Sequence, residues 1–206
     1  MDIKDYARII KKNWIALITV IVVFVLATYL FTAQKAPTFE ASATIEVVRS
    51  QELDQGKAPY YLYDSYYTGL AASSLSDNML GWLSSASTVG EVFQGAGYEI
   101  PSGDSKTLAK VFTAKKKLAT SAVVDVSYTS TDQVKAGKLI GQATQVLKEK
   151  IDQYNQVDSA ANFNSIVSAP VVIEVPKTYT INLLIAAFVG VLVGLSYAFV
   201  RESLTK

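Results

Sequence analysis

Apolar and polar positions are distributed very unevenly along this chain. Two uncharged apolar runs, Trp14–Phe31 and Ile181–Val200, stand near its ends, and the residues between them are mostly polar. A helix rises about 1.5 Å per residue, so each run has the length that crosses a hydrocarbon core about 30 Å thick. An even number of crossings returns the chain to its starting side. The expected layout is a lead-in at 1–13, a first span at 14–32, one domain at 33–178, a second span at 179–200 and a tail at 201–206.

Between the runs the period changes. Phe39–Val48 alternates, with Ala41, Ala43, Ile45 and Val47 on one face and Ser42, Thr44 and Glu46 on the other, which predicts a half-buried strand. Residues 49–59 read as a loop. Tyr60–Leu83 carries a loose helical repeat weakened by Gly69 and Gly81. Val89–Ala96 reads as a short helix opened by a capping box at Thr88 and Glu91, with Gly97 ending it. Pro101 to Asp104 reads as a turn and Lys106–Leu118 as a third helix. Ser121–Ser130 alternates again. Asp132 then caps a helix running to about Tyr154, with Ala136, Ile140, Ala143, Leu147, Ile151 and Tyr154 as its buried stripe. A last strand, Ile166–Val175, leads through Pro176 to the second run. The expected class is α+β, with two transmembrane helices flanking an extracytoplasmic mixed sheet covered by helices. The first and last strands, if neighbours, pair antiparallel.

Charge adds sidedness. Lys4, Arg8, Lys11 and Lys12 precede the first run and Arg201 and Lys206 follow the second, against only Lys35 and Lys177 on the other flanks. The Lys/Arg excess predicts cytoplasmic termini and an external middle. A cleaved leader is the rival for Trp14–Phe31, but its apolar part is long, and Ala41-Ser42-Ala43 lies too far downstream for a processing site. Residues 2–13 place Ile3, Tyr6, Ile9 and Ile10 on one helical face, either an interfacial helix or, with Arg201, a face for a cytoplasmic partner.

The chain holds no Cys and no His, so disulfides, the usual general base and the commonest metal ligand are all missing. Residues 33–178 carry 13 Lys/Arg and 15 Asp/Glu, too little positive charge for a nucleic-acid partner. Asp125, Asp132, Glu149 and Asp152 read as strand, cap and surface positions, and no phosphate-binding loop occurs. No catalytic residue, metal or cofactor is therefore expected. Tyr60, Tyr61, Tyr63, Tyr66 and Tyr67 form a cluster suited to subunit contact, to sugar stacking or to ordinary packing. Lys115, Lys116 and Lys117 could meet anionic sugar or an acidic neighbour, or form a solvated face. Gly190 and Gly194, four residues apart in an apolar helix, suit close helix packing, either between copies or on the first span.

The ordered set of segments resembles the Wzz-type chain-length determinants, the polysaccharide co-polymerases. MDIKDYARIIKKNWIALI is similar to their cytoplasmic lead-in, TFEASATIEVV to their first periplasmic strand, and VVDVSYTSTDQVKAGKLIGQATQVLKEKI to their strand and Ala-rich helix. SAPVVIEVPKTYTINLLIAAFVGVLVGL resembles their proline-bearing approach to the second span, here sparse with only Pro170 and Pro176. Residues 49–120 are too few for the long helical arm of large Gram-negative members, and with 201–206 as the tail the fused-kinase form with its Tyr-rich tail is not the one expected. The chain looks like the compact form, similar to Gram-positive capsule adaptors.

The resemblance implies a homo-oligomeric ring in the bacterial plasma membrane. Such a ring works with a polymerase and a growing glycan to set the length and export of O-antigen, capsule or exopolysaccharide, without chemistry of its own. A second implied role is activation of a separate cytoplasmic tyrosine kinase, for which 1–13 and 201–206 offer little to grip. An extracytoplasmic sensor is a third reading, and it would need an output module that such ends cannot supply.

Overall fold

The structure is a computed structural model that describes residues 9–49, 61–157 and 162–204, with backbone alone for Arg49 and residues 61–67. In chain order the described elements are α1 (Trp14–Gln34), β1 (Thr38–Arg49), α2 (Tyr61–Leu83), α3 (Ala86–Gly95), α4 (Ser105–Leu108), β2 (Thr113–Lys116), β3 (Val123–Ser130), α5 (Gln133–Val157), β4 (Phe163–Val167), β5 (Val171–Val175) and α6 (Tyr179–Leu204). They form two units: Met1–Pro37 with Pro176–Lys206, and Thr38–Val175.

The first unit is a helix pair. Both helices are long and apolar enough to cross a membrane, and large side chains such as Val22, Leu26, Ile185 and Phe188 lie exposed on them. Only a narrow stripe of α6 is buried, Ala186, Gly190, Gly194 and Ala198, one small residue every fourth position. That spacing puts all four on one helical face. A Cβ added to Gly190 would lie 3.0 Å from the Ile21 Cα, and one on Gly194 would lie 3.5 Å from the Leu17 Cα, so α1 backbone sits where larger side chains would project. Polar contacts fasten both ends. Lys12 Nζ meets Glu202 Oε2 at 2.8 Å. At the other end Lys177 Nζ donates to the Ala33 carbonyl at 2.8 Å, satisfying one of the carbonyls that every helix C-terminus leaves open.

The second unit places one layer of helices on one face of a sheet. β1 is its spine: β3 pairs along one side, β5 and then β4 along the other, and β2 adds to β3. Every pairing among the described strands is antiparallel, which corrects the mixed sheet expected from sequence while leaving the α+β class intact. β1 buries Ala41, Ala43, Ile45 and Val47, the face its alternation predicts, in one core with Leu75 and Met79 of α2, Val89 and Phe93 of α3, and Leu139, Ala143 and Leu147 of α5.

Three local expectations are corrected. Residues 106–118 are not one helix: Ser105–Leu108 makes one short turn and Thr113–Lys116 is a strand. Lys and Ala favour helices intrinsically, but pairing with β3 and burial of Phe112 and Ala114 override that preference. The last strand is two strands, because Pro170 lacks a donor and the chain is interrupted at 168–170. Ser168 spans the gap, donating its N–H to the Thr44 carbonyl and accepting the Thr44 N–H on its hydroxyl at 2.8 Å. The cap of α3 is Ser85, whose Oγ accepts the Thr88 N–H, so that helix starts before the predicted box. Asp132 does cap α5, with Oδ1 accepting from the N–H groups of Val134 and Lys135.

Candidate functional site

A two-layer fold leaves one sheet face without helices, and alternation decides what that face displays. Opposite the buried row of β1 stand Glu40, Ser42, Thr44 and Glu46; β3 adds Asp125, Ser127 and Thr129, and β2 adds Thr113 and Lys115. The register aligns them in cross-strand rows: Ser42, Ser127 and Thr113 form one, and Thr44, Asp125 and Lys115 the next. Together with Lys117 they line an open depression of about 560 Å³. Thr44 Oγ1 donates to Asp125 Oδ1 at 2.6 Å, which fixes the carboxylate as an acceptor on this surface. Toward the β5 side the same face turns apolar, with Val171 and Ile173 exposed opposite Ser42 and Glu40. Hydroxyls, the Glu40 and Asp125 carboxylates and two ammonium groups beside an apolar margin can bind a polar chain through many weak contacts.

The lysine triplet is divided by the same alternation. Lys115 and Lys117 are exposed on the open face. Lys116 points the other way, its side chain only 8% exposed. Its Nζ donates to the Ser73 carbonyl at 3.0 Å, to Ser73 Oγ at 2.8 Å and to Asp77 Oδ1 at 3.0 Å, using all three donors of an ammonium group. Residue parity, which the helical reading of 106–118 hid, is the signal that would have separated it from its neighbours.

Of the tyrosine cluster, Tyr61, Tyr63, Tyr66 and Tyr67 fall on the first turns of α2, where backbone alone is described, and Tyr60 lies outside the described residues. Ile3 and Tyr6 also lie outside them, while Ile10 is exposed and Arg201 is in the last turn of α6. Gly190 and Gly194 both face α1 as described above. Pro170 sits in the interruption between β4 and β5, and Pro176 follows the last residue of β5. Sequence reading missed Asn155, whose side-chain oxygen accepts the Phe163 N–H and whose amide donates to the Phe163 carbonyl, pinning the start of β4 to α5. It also missed an aromatic group of Phe93, Phe112 and Tyr128. Partial burial pushes the Tyr128 hydroxyl above the usual tyrosine range, against a smaller opposing effect of its hydrogen bond with Ser130. The Thr107 hydroxyl and N–H hold the exposed Asp104 carboxylate below the usual range at the start of α4.

These features define a class: an α+β unit inserted between two helices that are each long and apolar enough to span a membrane. Residues 1–95, which take in α1, β1, α2 and α3, match the family model described as Wzz, chain length determinant protein. No curated protein matches the chain. The match covers a little under half of the chain, and its description names chain-length determination.

Proposed function

We propose that this protein is a non-enzymatic co-polymerase that regulates the chain length and export of a surface polysaccharide, working as a homo-oligomer beside the polymerase. The observation that carries the reading is the open sheet face, with its hydroxyl rows and exposed Lys115 and Lys117, on a unit flanked by two apolar helices. Such a face can hold a glycan by many weak contacts without cleaving it. In this reading residues 33–178 lie outside the plasma membrane, 1–13 and 201–206 lie in the cytoplasm, and the Tyr61–Tyr67 turns of α2 contact a neighbouring subunit. The Lys11, Lys12 and Arg201 charges at one end of the helix pair support this sidedness.

Deleting the gene should change the polysaccharide ladder on a gel, and a copy with Lys115→Ala and Lys117→Ala should restore expression but shift the modal length. An unchanged ladder after deletion would sink the proposal. A second reading, an adaptor for a separate tyrosine kinase, is favoured by one contact. The Lys12–Glu202 pair holds residues from both ends of the chain together, beside exposed Ile10. Loss of kinase autophosphorylation on altering 1–13 or 201–206 would support it, and unchanged autophosphorylation would remove it.

A further inference from the structure

We propose that the cleft between α1 and α6 binds one phospholipid with an anionic headgroup. This rests on the reading of the helix pair as membrane-embedded. The cleft holds about 370 Å³, and its character changes along its length. Phe24, Ile185 and Val189 give it apolar walls, while Thr32, Asn182 and Lys35 gather at the end where α1 finishes. Asn182 Nδ2 reaches Thr32 Oγ1 at only 3.4 Å, a long bond that leaves both groups capacity for another partner.

Charge identifies the occupant. Lys35 has no ion-pair partner among the described residues. Lys177 belongs to the same end and spends one of its three donors on the Ala33 carbonyl. The acidic side chain among this unit's described residues is Glu202, paired with Lys12 at the opposite end of the helices. α1 alone has 21 residues, so that carboxylate lies about 30 Å away along the axis. Lys35 in the lining of the apolar cleft, with Lys177 bonded at the same end of α1, suits a phosphate headgroup above an acyl chain. A zwitterionic headgroup brings its own cation and gains less. Each basic residue near such a headgroup should favour the anionic lipid about fivefold.

The test uses the detergent-extracted full chain in native mass spectrometry. It is titrated with phosphatidylglycerol, with phosphatidylethanolamine of the same acyl chains, and separately with inorganic phosphate. We expect one phosphatidylglycerol retained at least fivefold more strongly than phosphatidylethanolamine. Lys35→Gln should reduce that ratio severalfold while leaving phosphatidylethanolamine retention unchanged, and Thr28→Phe, which fills the cleft, should weaken both lipids. Equal retention of the two lipids, or a ratio indifferent to Lys35→Gln, would overturn the proposal. Displacement of the lipid by millimolar phosphate would overturn it too, since the site would then be one for a free anion. Carbonate washing of membranes separates the two levels of inference: a chain released by the wash refutes the membrane reading itself, whereas a retained chain without headgroup preference refutes only the lipid site.

Discussion

Replacing Lys116 by Ala should destabilise the Thr38–Val175 unit, whereas the same change at Lys115 or Lys117 should not. The magnitude follows from what Lys116 touches. Two of its hydrogen bonds run to Ser73, whose carbonyl and hydroxyl sit at a buried position of α2. A net hydrogen bond from a charged donor contributes about 1.5–3 kcal/mol, but Ser73 O lies in a helix and has the helical ladder as an alternative, so the lower end applies. The bond to Asp77 adds less than about 1 kcal/mol, because that carboxylate is 62% exposed and screened. With the lost packing of a four-carbon stem, the expected total is about 2–3 kcal/mol.

For a unit of this size that corresponds to about 5–10 °C in Tm. Lys116→Met keeps the stem and should recover about half the loss. Lys115→Ala and Lys117→Ala should stay within about 0.5 kcal/mol, as exposed substitutions do. Circular dichroism of the detergent-solubilised full chain, with tryptophan fluorescence of a Trp14→Phe background as a second probe that reports on Trp82, measures all four. Equal losses at 115, 116 and 117, or none at 116, would refute the division of the triplet by strand parity and the surface built on it.

Three further outcomes are expected. Gly190→Leu should force α1 and α6 apart at a cost of about 1–3 kcal/mol; the drop should appear as a lower disulfide yield for a Thr32→Cys, Asn182→Cys pair, and an unchanged yield would contradict the packing. Asp132→Ala removes the acceptor for two N–H groups at the start of α5 and should cost about 1 kcal/mol in thermal unfolding, with Asp132→Asn recovering most of it. Tyr128 has a raised folded-state pKa, so its contribution is complete below the unfolded value near 10 and is lost as pH rises through the folded value; alkaline unfolding should therefore be shallower in Tyr128→Phe, and identical curves would exclude the effect.

Elements with one buried face were legible in the sequence because burial imposes a period. β1 shows this best: Ala41, Ala43, Ile45 and Val47 are buried and their neighbours face outward. The stripe of α5 is equally plain from Ala136 to Ile151, fading at Tyr154, which is 37% exposed. β2 was illegible for the same physical reason in reverse. Its inward positions are Ala114 and Lys116, and a lysine facing inward erases the apolar mark that alternation needs. The interruption at Ser168 was hidden because Val167 and Val171 flank it with β-branched residues on both sides, so the segment reads as one strand.

The exposed and buried lysines therefore carry the same information twice. Lys116 can be buried only because α2 presents Ser73 and Asp77 at the matching height, and an ammonium facing inward without acceptors would cost several kcal/mol. Once those acceptors fix Lys116 inward, the pleat sends Lys115 and Lys117 outward together, onto the same face as Asp125 and the hydroxyl rows. A one-residue slip of β2 against β3 would bury two lysines with a single acceptor set and expose Ala114, so the register is specified by charge rather than by hydrophobic content. The chemistry of the open face is thus set from beneath it, by a contact on the opposite side of the sheet, and variants of Ser73 or Asp77 should disturb the Lys115–Lys117 surface without touching it.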